Sequence, residues 1–308
     1  MPIKIPKDLP AADVLRREHI FVMDTLRATT QDIRPLKILM LNLMPTKAVT
    51  ETQIARLLGN TPLQIELELV KVKHDTKNTS QEHMIAFYRN FSEIKENFYD
   101  GMIITGAPVE HLPFGEVDYW DELCEIMDWS TTHVFSTLHI CWAAQAALFH
   151  HYGIEKKALD QKLFGVFDHT VEDRACMLFR GFDDVFRAPH SRHTALDEEA
   201  LRNEKDLTVL ASSLKAGPYA IADTAGRKIF ITGHCEYDAD TLRSEYVRDK
   251  TAGLPIEIPE NYFPGDDDTA SPLNTWRSGA SLLYSNWLNY YVYQETPYIV
   301  ESIGDIGR

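Results

Sequence analysis

The stretch VFSTLHICWAAQAAL (134–148) reads as two elements joined at one residue. Its first half is apolar, β-branched and aromatic, and short enough for a buried strand; its second half has the Ala, Leu and Gln content of a helix. Cys141 stands at the seam. A residue on a sharp strand-to-helix turn projects its side chain into a cleft, and the unpaired N–H groups of the helix start face any charge that develops there. The positive end of the helix also favours a thiolate over a thiol. The second reading of Cys141 is a small buried hydrophobe, the common fate of free cysteine.

Elements of the same two kinds alternate upstream. LKILMLNL (36–43) is a run buried on both faces, as central parallel strands are. Pro45 and Thr46 break it, and residues 47–58 place Val49, Ile54, Leu57 and Leu58 at helical spacing. Residues 63–72 alternate as a strand, 80–96 read as a helix, MIITGAP after Tyr99-Asp100-Gly101 is another buried strand, and 117–130 is a further helix. Fourfold alternation implies an α/β fold, a three-layer sandwich with a mainly parallel sheet between helices. Ligands in that architecture bind beyond the carboxyl ends of the strands, where the turns after Leu43, Thr105 and Ile140 lie. Downstream the reading is a strand at 163–167, a polar turn at 188–193, strands at 207–211 and 219–222, and the buried strand KIFITGH at 228–234. A helix at 240–250, a Pro- and Asp-rich loop at 255–272 and a closing aromatic helix at 276–291 follow. Residues 1–35 read as an N-terminal arm with one short helix near 11–18, draped over a single domain spanning 36–308.

Composition excludes several classes. A chain of 308 residues that is 44% hydrophobic can build a sizeable core, and a formal net charge of −15 opposes a nucleic-acid partner. The four cysteines, Cys124, Cys141, Cys176 and Cys235, form no CxxC pair and are too sparse for a disulfide framework, which fits a reducing cytoplasm. The first residues carry early prolines and mixed charge, and no run approaches a membrane helix. The expectation is a soluble cytoplasmic protein with neither a nucleic-acid nor a membrane partner.

A thiolate nucleophile needs a base, and the base needs a group to hold it. His234-Cys235-Glu236 supplies both: at the end of an extended strand residues i and i+2 project to one side, with Cys235 pointing away. His139, two residues before Cys141, is the rival base, and His190 and His193 are further candidates, but His234 is preferred because it has a carboxylate at the right spacing. The turn Thr105-Gly106-Ala107-Pro108 either offers backbone N–H groups to an oxyanion, with others near Cys141 such as that of Trp142, or is an ordinary strand-to-helix turn. Glu245 and Arg248, three apart on a helix, suit the ammonium and carboxylate of an amino acid, although most such pairs are solvated surface pairs. No spacing of carboxylates and histidines matches a zinc, calcium or nucleotide-phosphate motif, so no metal is expected.

These pieces together resemble the homoserine O-acyltransferases, the homoserine O-succinyltransferase family of methionine biosynthesis. LNLMPTK from Leu41, YDGMIITGAP from Tyr99, CWAAQAAL from Cys141, RGFDD from Arg180, APHSRH from Ala188, TGHCEYD from Thr232, NYFP from Asn261 and NWLNYYVYQ from Asn286 look like its signatures in family order, over essentially the whole chain. The resemblance implies a glutamine-amidotransferase-like sandwich and ping-pong acyl transfer from acyl-CoA to the hydroxyl of L-homoserine. It also implies a homodimer, and no permanently bound cofactor. By the same resemblance Cys141 is the acyl-thioester nucleophile, His234 the proton acceptor and Glu236 the catalytic glutamate. Lys162, Ser191 and Arg248 match substrate contacts, and Glu245 is expected at the homoserine ammonium. Glu110, together with Ser191, matches positions that select the acyl donor. At the Glu110 position glycine accompanies succinyl transfer and glutamate acetyl transfer, so acetyl-CoA is the expected co-substrate and succinyl-CoA the alternative; the alternative to a selector is a solvated loop glutamate. Cys235 stands where proline is common in relatives and puts a second thiol near the site. Two other classes stay open: a glutamine amidotransferase, which has glycines where this chain has His139 and Ala143, and a redox-sensing protein that oxidises Cys141.

Overall fold

Strands that are apolar on both faces need a helical layer on each side, and the chain supplies two. The computed structural model describes residues 3–6, 9–17, 22–23, 34–73 and 79–305. In chain order the elements are β1 (Ile3–Lys4), α1 (Pro10–Arg17), β2 (Val22–Met23), β3 (Leu36–Leu41), α2 (Lys47–Gly59), β4 (Ile65–Lys71), α3 (Gln81–Phe87), β5 (Tyr88–Asn90), α4 (Phe91–Ile94) and β6 (Tyr99–Ile104). They continue as α5 (Trp120–His133), β7 (Val134–Ile140), α6 (Trp142–Tyr152), β8 (Lys156–Val171), β9 (Val185–Leu196), α7 (Glu198–Asn203), β10 (Leu207–Ser213), β11 (Gly217–Asp223), β12 (Lys228–Ile231), α8 (Thr241–Thr251) and α9 (Arg277–Asn286). The strands form one sheet in the order β2-β1-β4-β3-β6-β7-β12-β11-β10-β8-β9, with β5 beside β4. Pairing is parallel from β2 to β12 and antiparallel from β12 to β9.

Alternation along each strand divides the core. In β3, Ile38 and Met40 pack with Ile54 and Leu58 of α2 on one face, while Leu39 and Leu41 join Leu123 and Ile126 of α5 and the buried alanines of α6 on the other. The first layer is closed by Trp287, for which Gly101 of β6 makes room: a Cβ there would come within 3.1 Å of the Trp287 ring and 2.9 Å of Ile38 Cδ1. Trp287 Nε1 donates to Ser136 Oγ at 3.0 Å. The closing helix expected over 276–291 is therefore two pieces, α9 and a π-helical stretch at Trp287–Tyr293; the wider turn is where the indole leaves the helix for the sheet.

Three further expectations change. The helix expected over 80–96 is interrupted, because Asn90 and Glu93 form a capping box that starts α4, leaving Tyr88–Asn90 to pair with β4. The polar turn expected at 188–193 is the middle of β9, and the strand expected at 163–167 extends to 16 residues as β8, its hairpin partner. Polarity hid the strand: Ala188, His190, Arg192 and Thr194 take the buried positions of a two-residue alternation, with Ser191 and His193 between them. The loop over 255–272 is held to this hairpin where Gly165 (φ 149°) lies against Glu260, whose backbone would be 2.4 Å from an added Cβ.

Of the arm expected over 1–35, the described part contributes β1 to the edge of β4 and α1 to the core, with Ile5, Leu9, Ala12 and Leu15 buried. The expected helix runs over Pro10–Arg17; Glu18 and the rest of 18–21 and 24–33 lie outside the described residues. Among the described residues no helix is long and apolar enough to cross a membrane.

Buried histidines give the fold an acid limit. Burial pushes His139 down to about 3 and His169 to about 4, and holds His190 well below the ordinary value, so all three are neutral when folded. Unfolded, each takes a proton near 6.5, so the stability from neutral burial is complete above that pH and is lost as pH falls toward the folded values. Each adds a slope of up to about 1.4 kcal/mol per pH unit. Urea unfolding midpoints should drop steeply from neutral pH to about pH 5; a flat profile contradicts this.

Candidate active site

Three neighbouring parallel strands, β6, β7 and β12, deliver their carboxyl ends to one place. β7 ends at Cys141, whose φ of 52° and ψ of −113° make it one of three non-glycine residues with positive φ among the described residues. Such a conformation is strained for a residue with a Cβ and turns the side chain out of the strand line. Cys141 holds this position by donating its N–H to the Ile231 carbonyl at 2.7 Å and accepting from Gln145 N at 3.2 Å, as the cap of α6. Trp142 is the first residue of that helix, so its N–H has no intrahelical acceptor.

Gly106 follows β6 directly opposite. A Cβ built on it would lie 3.3 Å from Cys141 Cβ and 3.5 Å from His234 Cε1, so the glycine lets a backbone amide approach both groups. Thr105 fixes the turn: its Oγ1 accepts from Leu43 N at 2.8 Å and donates to the Gly106 carbonyl at 3.2 Å. On the next strand end Lys47, the buried first residue of α2, donates to the Asn42 carbonyl at 2.5 Å, and burial lowers its pKa to about 8.

β12 stops at Ile231, so His234 and Glu236 do not lie on a strand as expected. They belong to a tight turn closed by Tyr237 N donating to the His234 carbonyl at 3.2 Å. The turn achieves what strand alternation was expected to achieve: His234 Nδ1 donates to Glu236 Oε1 at 2.7 Å, leaving Nε2 toward Cys141. Burial penalises the imidazolium, but the Cys141 sulfur and then the Glu236 carboxylate outweigh it and raise the His234 pKa well above the ordinary value. Tyr237 stacks on the imidazole at 4.1 Å between ring centroids. Cys235 turns away into the core against Tyr219, and burial pushes its thiol far up. His139 is a core residue: it donates to the Ile229 carbonyl at 3.1 Å and stacks on Phe230 in the α5–α6 layer.

A polar cluster adjoins this triad. Glu245 of α8 accepts from Ser191 Oγ at 2.5 Å and from Lys162 Nζ at 3.3 Å, and it also bonds Tyr237, which links the cluster to His234. Lys162 further faces Asp249 at 3.6 Å. Arg248 joins through Asp249, with Nε at 2.6 Å from its carboxylate and its side chain 66% exposed, so it is available to a ligand. Glu245 and Arg248 are thus not partners of one another. Tyr237 and Asp249 escaped the sequence reading; Tyr237 follows Glu236 in TGHCEYD, the only signal of its place.

The homoserine O-succinyltransferase family model matches residues 2–298. The chain belongs to that family. It is 60% identical over 299 residues to a protein named homoserine O-acetyltransferase from Geobacillus kaustophilus, covering 97% of this chain and 99% of the relative. Relatives of the same name are 58% identical in Clostridium acetobutylicum, over 97% of this chain and 99% of that one, and 56% in Bacteroides fragilis, over 98% and 100%. Among solved structures, a glutamine amidotransferase from Thermotoga maritima superposes with a TM-score of 0.53 at 11% identity, covering 83% of this chain and 98% of that chain, a likeness of fold.

In this member of the homoserine O-succinyltransferase family, Glu110 lies in the loop after β6, half-buried; its carbonyl accepts from Lys156 Nζ at 2.7 Å and its carboxylate acts on Arg192 and His193. Among the described residues, Glu110, His111 and His193 form one group able to offer three metal ligands, and Asp128, His150 and His151 another. The expectation of no metal came from spacing along the chain, which does not register groups assembled across elements.

Proposed function

We propose that this chain transfers an acetyl group from acetyl-CoA to the hydroxyl of L-homoserine through a thioester on Cys141, in the cytoplasm and with no resident cofactor. The observation that carries the proposal is the meeting of Cys141, Gly106 and the His234–Glu236 pair at three adjacent strand ends, in a chain 60% identical to a homoserine O-acetyltransferase. The Cys141 thiolate attacks the acetyl carbonyl, the N–H groups of Gly106 and Trp142 receive the oxyanion, and the CoA thiolate leaves, taking a proton from His234. The homoserine hydroxyl then attacks the thioester carbonyl, His234 takes its proton, and Cys141 departs as thiolate. Glu236 holds the imidazole in the tautomer that both steps need. The family also supports a homodimer.

The cluster of Lys162, Ser191, Glu245 and Arg248 suits the amino-acid end of homoserine, Arg248 taking the carboxylate and Glu245 the ammonium. Arg248→Ala should raise KM for homoserine far more than KM for the acyl donor; equal effects on both deny it that role.

Glu110, in the loop that follows the Gly106 turn after β6, supports acetyl over succinyl, as glutamate at this position accompanies acetyl transfer in the family the chain resembles. Succinyl carries a distal carboxylate, and a second carboxylate at about 4 Å costs roughly 4 kcal/mol at an effective dielectric near 20. Acetyl has neither the charge nor the length. The wild type should gain the mass of one acetyl group from acetyl-CoA and lose it to homoserine, and Glu110→Gly should admit succinyl-CoA. A wild type that prefers succinyl-CoA in kcat/KM, or a variant with an unchanged donor ratio, sinks the acetyl assignment.

A further inference from the structure

Arg192 of β9 carries a buried charge with no carboxylate of the described residues in direct contact. The residue is 4% exposed, and among the described residues no aspartate or glutamate forms an ion pair with it. Its Nη1 donates to the Thr194 carbonyl, Nη2 to the Ala216 carbonyl at 2.6 Å, and Nε points to His190 Nδ1 at 3.5 Å. Since His190 Nδ1 accepts, its proton is on Nε2, which meets His169 Nε2 at 3.0 Å. Burial and the neighbouring His169 and Arg192 keep His190 neutral, so the guanidinium is the one positive charge of this cluster.

A buried cation without a directly paired anion is costly, so the anions that act on it from further away matter. The Thr194 carbonyl that accepts Arg192 Nη1 also accepts Gln145 Nε2 at 3.3 Å, and Thr194 Oγ1 donates to Gln145 Oε1 at 2.8 Å. Gln145 belongs to the first turn of α6, closed on the Cys141 carbonyl. Arg192 is thereby clamped against the helix start that Cys141 caps. The charged and titratable groups that interact with the sulfur are His234, itself held by Glu236, and Tyr237 from the turn after β12, and Arg192 from β9; the anions acting on Arg192 are the Cys141 sulfur first and Glu110, from the loop after β6, second.

We propose that Arg192 is a positioning residue for the Cys141 thiolate: its guanidinium, fixed by the Thr194 and Ala216 carbonyls, is the non-titrating counter-charge that keeps the sulfur anionic whichever way the His234 proton moves. This rests on Cys141 being the nucleophile. Iodoacetamide alkylation of Cys141, followed by intact mass across the neutral pH range, tests it in the full chain. Either neutral variant, Arg192→Gln or Arg192→Met, should slow alkylation about tenfold and move the pH–rate profile to higher pH, the direction expected when a nearby opposite charge is removed. Arg192→Lys should return the rate to within about threefold of wild type, because the charge is kept. An unmoved profile in the neutral variants, or a lysine variant as slow as they are, overturns the proposal. The acetyl-CoA mass shift is read on the same samples: its absence in wild type refutes the nucleophile, whereas its presence beside an unmoved neutral-variant profile refutes only the role of Arg192.

Discussion

Cys141→Ala is expected to form no acyl-enzyme and to lose turnover by a factor on the order of 10⁶, as removing the nucleophile does in enzymes whose catalytic groups act as a unit. The other three thiols offer no substitute. Cys235 is buried with its pKa far up, Cys124 is pushed up to about 11 mainly by burial, and Cys176 is engaged with the Tyr291 hydroxyl at 3.3 Å. Cys141→Ser should fail as well, because a hydroxyl ionises far less readily than a thiol. Intact mass after mixing with acetyl-CoA, and again after adding homoserine, is the measurement. Wild type should gain one acetyl group and then lose it, and the variants should gain none. An acetylated Cys141→Ala chain would move the nucleophile elsewhere, with Cys235 the first to test.

His234→Ala should lower kcat/KM by about 10²- to 10⁴-fold, the usual range for a positioned general base. The two half-reactions should not suffer equally. In the free enzyme the Cys141 sulfur contributes ahead of Glu236 to holding the imidazolium, against the pull of burial. Acylation removes the charge on sulfur, so the pKa of His234 drops just when it must accept the homoserine proton. A variant without the imidazole should therefore still collect acetyl groups from acetyl-CoA, slowly, and release them to homoserine more slowly still. Single-turnover mass measurements separate the two rates. A crippled His139→Ala beside a mild His234→Ala would reverse the assignment of the base; the burial of His139 against Phe230 and its bond to Ile229 argue for the opposite outcome.

The sandwich was legible in the sequence because its central strands announce themselves. Ile38, Leu39, Met40 and Leu41 are apolar in succession, as in a strand covered on both faces, and the same holds for 102–104 of β6 and 229–231 of β12. Cys141 was legible too, as the residue at which a strand pattern turns helical, whereas the His234–Glu236 contact was expected from strand alternation and is made instead by a turn after β12. The β8–β9 hairpin was not legible. Its buried positions hold His190, Arg192 and Thr194, whose polarity reads as a turn until their hydrogen-bond partners on other elements are known. The same reason hid the roles of Tyr237, Asp249 and Arg192, each defined by a neighbour far along the chain or by stacking. Periodicity records what a segment does with water, and so it determined the layers and which segments are the central strands, though not where each strand ends. Which polar groups meet at those ends depends on distances between elements, and only the tertiary structure decided that.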